Sequence, residues 1–348
     1  MSILSDVYEV SCVLFRGFYF EFGELILKLQ GHQLAFRIVR RVVEISHFNK
    51  ILISKKSVLN VKNSNQLILR AISDGKPLLV SRFGTTETEF CLEYGSPVNN
   101  RNATFLSIEN LWRLSGVFPT NPSQLADFFS KYTKAASNID VCGVRRSSKE
   151  FSYWENESRM FSHYATDSTP IDIEALTPIF LKDPWTQGLS GKKVLIIHPF
   201  AETIRQQLKS LAATPAEFYW LPRFYPIVLE APQSLGVEPE NYHFNNWNDS
   251  LDTLMHEVEN IDFDIALIGC GAYGLPLGSF IKEKGKIAIH IGGALQLFFA
   301  IRGQRWEIEI NRKLTSDQLR IWNWPLRADT PKSAYDVENG AYWAPKEN

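Results

Sequence analysis

Four runs in this chain place polar or glycine residues directly after an apolar, β-branched stretch. Arg82-Phe-Gly-Thr-Thr-Glu87 follows Leu78-Leu-Val, and His198-Pro-Phe-Ala-Glu202 follows Val194-Leu-Ile-Ile. Gly269-Cys-Gly-Ala-Tyr-Gly274 follows Ile265-Ala-Leu-Ile, and His290-Ile-Gly-Gly-Ala-Leu-Gln296 closes Ile287-Ala-Ile-His. In the first run, Arg82 can hold a phosphate bidentately and Gly84 permits a tight turn. Thr85 or Thr86 can cap the helix that follows. Glu87 offers a carboxylate to a metal, a sugar hydroxyl or a proton in transfer. The structural alternative is an Arg82–Glu87 ion pair beside a capped helix.

The second run sets His198 before Pro199, a residue suited to a first helical turn, with Glu202 one turn further on. At a strand mouth beside a helix N-terminus, His198 serves equally well as a catalyst or as a structural donor. The third run is formally GxGxxG, and Gly269, Gly271 and Gly274, with Tyr273 among them, would let backbone N–H groups approach a diphosphate. A nicotinamide site is disfavoured. The next strand ends in His290 rather than an acid for the adenosine ribose, Pro276 follows closely, and the motif comes late in the chain. In the fourth run, Gly292 and Gly293 make a tight strand-to-helix turn, and Gln296 falls on the first turns beyond it. HExxH, GxxxxGK[ST] and GxSxG are absent, which removes the commonest zinc-protease, P-loop and hydrolase readings.

Elements must exist to position these groups. Five continuous apolar runs, 77–81, 139–144, 193–199, 263–269 and 286–292, suit strands buried on both faces. Helical stretches near 64–74, 122–136, 200–212, 247–260, 274–284 and 293–301 alternate with them. The pattern predicts an α/β fold with a doubly wound, mostly parallel, Rossmann-like sheet. Ligands then bind outside the C-terminal strand ends, so one shared crevice is the economical account of all four runs.

Residues 1–62 read as an N-terminal helical appendage, with helices over 5–30 and 33–48 broken at Gly31, ahead of a catalytic domain over 63–345. The appendage packs on the main domain or on a second copy in a homo-oligomer. The sharper alternative is a peripheral contact of residues 1–50 with an anionic membrane surface. Arg16, Glu21, Glu24 and Lys28 interrupt the apolar stretch 10–29, so it would span a bilayer poorly. After Trp306 the chain becomes rich in Trp, Pro and Asn, which predicts an irregular wrap whose rings finish the core rather than a stacking platform.

A net charge of −1 supplies no global field for nucleic acid. An anionic ligand must therefore be held by local groups. Cys12, Cys91, Cys142 and Cys270 show no metal-ligand spacing and suit a reducing compartment. With no signal-peptide pattern, the expectation is a cytoplasmic protein, with the inner face of the membrane as its peripheral location if residues 1–50 bind lipid.

At the four runs the chain resembles bacterial glycosyltransferases of the GT-D fold class and related polysaccharide-biosynthesis proteins. The resemblance covers about 65–325. Members carry Arg-x-Gly-Asp-x-Glu early in the domain, where the Asp-x-Glu pair serves nucleotide-sugar and metal binding. Arg82, Gly84 and Glu87 match that pattern, and Thr85 replaces the Asp. The resemblance implies transfer of a sugar from a nucleoside-diphosphate sugar to a glycan or lipid-linked acceptor. Of the cation ligands it implies, for Mg²⁺ or Mn²⁺, only Glu87 remains, which shifts diphosphate neutralisation toward Arg82 and helix dipoles. Two other readings stay open: a Rossmann-like enzyme using another nucleotide cofactor, and a non-catalytic component of a polysaccharide assembly complex.

Overall fold

The five apolar runs become the centre of a seven-stranded parallel sheet. A computed structural model describes residues 52–53, 56–96, 103–145, 151–235 and 244–346. We number the sheet strands β1 (Leu78–Arg82), β2 (Val141–Val144), β3 (Thr169–Asp172), β4 (Lys193–His198), β5 (Tyr225–Glu230), β6 (Ile265–Ile268) and β7 (Ile287–His290). Their order across the sheet is β3-β2-β1-β7-β6-β4-β5, with every pairing parallel. All C-terminal strand ends therefore share one edge. The fold is α/β with a doubly wound sheet, as the alternation predicts.

The central strands need their apolar sequence because helices cover both faces. Val194, Leu195, Ile196 and Ile197 are all fully buried, and their side chains alternate between two cores. Burying each contributes about 1.5–3 kcal/mol. Helices α1 (Val61–Asp74), α2 (Thr85–Tyr94), α3 (Phe105–Ser115), α4 (Pro122–Ser137), α5 (Phe151–Tyr164), α6 (Ala201–Ala213), α7 (Trp247–Glu259) and α8 (Gly274–Glu283) form the covering layers. α1 starts where Asn60 accepts the Asn63 N–H and stops where Gly75 turns left-handed at φ 66°. α4 starts the same way at Asn121, with Pro122 in its first turn.

β3, β5, α3 and α5 are additions to the elements that the sequence pattern predicts. β3 and β5 are the two outermost strands, and each contains a proline, Pro170 or Pro226. A missing N–H is tolerated only at a sheet edge. The stretch expected as a helix over 293–301 is a 3-10 helix, Gly292–Phe299, that ends at Ala300 with φ 52°. Ahead of α1, Val58 enters the core and Leu59 bridges Ile171 on the outer side of β3. The helices expected over 5–30 and 33–48 lie outside the described residues. No helix among the described residues is long and apolar enough to cross a membrane.

Beyond Phe299 the chain runs through α9 (Glu307–Lys313) and the single-turn α10 (Ser316–Leu319), then wraps back to the sheet edge. Trp322 and Trp343 are buried in the core, as the irregular-wrap reading predicts.

Candidate functional site

The four motif-bearing strands β1, β7, β6 and β4 are consecutive neighbours in the sheet. Their outgoing turns open on a single crevice of about 960 Å³, lined by Arg82, Glu87, His198, Gly269, Gly271, His290 and Gly292. Register fixes this convergence. Ile268 lies opposite both Ile197 and His290, so the residues that follow all emerge at one level.

The Arg82–Glu87 turn supplies the charge. Arg82 ends β1, with its guanidinium over the Gly292 turn; a Cβ at Gly292 would lie 3.7 Å from Nη1. Among the described residues its guanidinium has neither an ion pair nor a hydrogen bond. The structural Arg82–Glu87 pair is therefore absent. Glu87, on the first turn of α2, is buried at 6 % exposure. The helix N-terminus favours its negative charge, and the Thr86 hydroxyl donates to its Oε2 at 3.2 Å. Thr86 also bonds the Ser115 hydroxyl on α3. The cap differs from expectation: Gly84, not Thr85 or Thr86, is the N-cap residue, and it makes no side-chain cap bond. The reason is steric. The Glu87 carboxylate folds back over Gly84, where any Cβ would overlap it. Gly84 N–H donates to the buried Tyr132 hydroxyl at 3.0 Å instead, and Thr85 is left lining the crevice.

His198 and His290 stand at the ends of β4 and β7, each 3 % exposed. Burial pushes both imidazoles down to about 3, and Arg82 adds to the effect on His290. Both are neutral near pH 7. His290 Nδ1 meets the Ser81 hydroxyl at 2.9 Å, and its other nitrogen lies against Gly274, where a Cβ would clash with the ring. His198 Nδ1 accepts the Phe200 N–H at 2.9 Å.

The glycine-rich motif divides. Gly269 and Gly271 line the crevice; a methyl on Gly269 would lie 2.8 Å from both the Gly292 carbonyl and His198 Cδ2, and Gly271 adopts φ 55°. Tyr273 and Gly274 do not line it. Tyr273 is buried, stacked on Trp247 with ring centroids 5.5 Å apart, and its hydroxyl lies 3.1 Å from Ser234 Oγ. Gly274 serves close packing on His290. Glu202 also departs from the site, because α6 turns it outward, 56 % exposed and 3.4 Å from Arg205. Gly292 (φ 76°) and Gly293 both line the crevice, and Gly293 leaves room for the Tyr342 ring. Gln296 lines it as well, but its Nε2 donates to the carbonyls of Arg302 at 2.7 Å and Tyr342 at 3.3 Å. It ties the tail down.

Among the cationic and aromatic wall residues that sequence reasoning missed are Arg145, Arg305 and Tyr342. Arg145 follows β2 and pairs with the buried Glu157. Burial raises the Glu157 carboxyl, while Arg145 opposes that shift. Arg305 pairs with Glu338, donates to the Tyr342 hydroxyl at 3.0 Å and covers its ring. Of these, only Arg145 carried a local signal, since Arg145-Arg-Ser-Ser follows a recognisable strand. Arg305 and Tyr342 reach the crevice through the tail's return path. The tail thus finishes the core and also walls the site.

The donor set does not fit a protein-held divalent cation. Hard cations take several oxygen ligands, typically carboxylates, whereas Glu87 is accompanied here by hydroxyls already engaged with one another. Among the described residues no group of three His, Cys, Asp or Glu side chains could hold a metal.

Residues 59–298, well over half of the chain, match the family model of the GT-D-like, or GT-D fold-like, domain. Two solved structures of the domain of unknown function 1792 are similar in arrangement. One is selenomethionine-substituted, and the other is described as having a distinct glycosyltransferase fold. Each is 15% identical, covering 69% of this chain and 79% of its own, at a TM-score of 0.40. No curated protein matches the chain.

Proposed function

This chain belongs to the GT-D-like family, and from that premise we propose that it is a glycosyltransferase acting on a nucleoside-diphosphate sugar. The acceptor is a glycan or lipid-linked saccharide of cell-surface polysaccharide biosynthesis. One observation carries the reading: Arg82, a cation with no carboxylate partner among the described residues, faces the same crevice as the Gly292–Gly293 turn and the buried Glu87. A crevice that leaves one guanidinium unneutralised beside a glycine turn is suited to an anion.

The chemistry follows from where charge develops. As the bond from the anomeric carbon to the diphosphate oxygen breaks, negative charge grows on the departing nucleotide. Fixed donors aimed at that oxygen lower the barrier. Arg82 supplies a charge-assisted pair of N–H donors. Gly292 and Gly293 lie in the first turn of a 3-10 helix, where backbone N–H groups lack intrahelical partners. Glu87 takes the sugar side, orienting a hydroxyl or accepting the proton of the attacking acceptor. The Thr86 hydroxyl holds its carboxylate in place. The side chains among the described residues do not form a site for a metal.

The test is a thermal-shift screen of nucleotide sugars, followed by detection of the released nucleoside diphosphate. A ligand present at 100 times its dissociation constant stabilises the folded state by about 2.7 kcal/mol, which such a screen resolves. Stabilisation by a dinucleotide such as NAD, with none by any nucleotide sugar, would overturn the proposal.

A further inference from the structure

His198 and His290 share residue type, burial and position, yet they are wired differently. The Nδ1 of His290 meets a hydroxyl, which can donate or accept. The Nδ1 of His198 meets the main-chain N–H of Phe200, which can only donate. That bond leaves Nδ1 as the acceptor, so the proton of the neutral ring resides on Nε2. The ring is also held against rotation. Phe200 packs edge-on with centroids 4.8 Å apart, and Gly269 meets the Cδ2 side so closely that a methyl there would stand 2.8 Å away. Flipping the imidazole would set a carbon against the Phe200 amide and lose that bond.

One polar atom remains. Nε2 has no hydrogen-bond partner among the described residues, and His198 lines the crevice. Its surroundings point to the ligand group it meets. Gly269 separates it from the Gly292 turn, and Arg82 lies over that turn. A donor-only group that opens on the same crevice as a cation is suited to an anionic oxygen.

We infer that His198 is a catalytic residue acting as a fixed, neutral Nε2–H donor to the diphosphate of the donor substrate, not as a general base. The assignment rests on the nucleotide-sugar reading above. Proton uptake at Nδ1 would require breaking the Phe200 bond, and burial holds the imidazole neutral down to about 3.

Two substitutions separate this role from a structural one. His198→Gln can place an amide N–H near the position of Nε2. His198→Asn can still accept the Phe200 N–H but removes the long-reach donor. With uridine and guanosine diphosphate as probes, the full chain should bind the favoured one with affinity changed only a few-fold in His198→Gln. The same affinity should fall about 10-fold or more in His198→Asn, as expected for a hydrogen bond to a charged group. A purely structural His198 reverses the order, with Asn tolerated and Gln disruptive. Imidazole ¹⁵N spectra of the free wild-type protein, assigned against His198→Asn, give a second readout. They should show one Nε2–H tautomer unchanged from pH 8 to pH 5.5, with the Nε2 signal moving on probe addition. An Nδ1–H tautomer, or titration within that range, would overturn the inference while leaving the glycosyltransferase reading intact. Failure of wild type to bind either diphosphate, with the Nε2–H tautomer present, would overturn both the diphosphate contact and the nucleotide-sugar reading.

Discussion

The turns Arg82–Glu87 and Gly269–Gly274 occupy equivalent places, each leaving a central strand and entering a helix, yet they use their residues differently. The first presents to the crevice a buried carboxylate and a guanidinium unpaired among the described residues, and its glycine exists to let that carboxylate fold back. The second has the more familiar motif, but only Gly269 and Gly271 reach the crevice. Tyr273 is stacked on Trp247, and Gly274 accommodates His290. A glycine motif states where backbone must come close to something, and that something is as often another side chain as a ligand.

The sharpest way to break this contrast is Glu87→Gln. It keeps size and hydrogen bonding but removes the charge, so turnover should fall on the order of 10²-fold or more with donor affinity nearly unchanged. Steady-state kinetics alongside donor calorimetry check it, and an unchanged turnover number would make the first turn structural too. Arg82→Ala comes next: donor affinity should drop by about 1.5–3 kcal/mol, the worth of a charged hydrogen bond, measured by the same calorimetry.

In the second turn, Gly274→Ala should act on stability instead. The methyl meets an imidazole fixed by Ser81, and overpacking of this kind costs about 1–3 kcal/mol. Urea unfolding should show the loss, while donor affinity of the folded fraction holds. The smallest effect belongs to Gly271→Ala. Its Cβ has room, 3.6 Å from the Ser115 carbonyl oxygen, so the cost is that of a left-handed φ, about 1 kcal/mol. A large loss of donor affinity there would show instead that the second turn contacts the substrate closely and that the contrast is overdrawn.

How far the sequence carries depends on burial. The five inner strands are legible because covering both faces demands unbroken apolar runs, as in Val194–Ile197. β3 and β5 are not, because Pro170 and Pro226 read as breakers until an edge position explains them. α3 begins with Phe105 and Leu106 in solvent, 82 % and 64 % exposed, which hides its amphipathic face. In the site, Arg82, Gly84, Thr85, Glu87, His198, Gly269, Gly271, His290, Gly292, Gly293 and Gln296 are all found at the crevice. Their common position after parallel strands was visible in one dimension. Glu202 misleads because one helical turn past a strand mouth already faces outward. Arg305 and Tyr342 come from a tail that returns after crossing the domain, a path no local pattern encodes.

The edge prolines have a consequence for how copies of this protein behave when crowded. Thr169 and Tyr225 donate inward, to the Asp140 and Lys192 carbonyls. The next residue on each strand, Pro170 or Pro226, therefore holds the outward-facing position and has no N–H to offer. On β3 the outer side is already occupied by Leu59, whose N–H meets the Pro170 carbonyl at 3.2 Å. On β5 the proline interrupts the row of donors that a foreign strand would need. Both margins of the sheet are thus poor templates for recruiting another chain, and self-association that keeps the fold intact is steered toward helical surfaces.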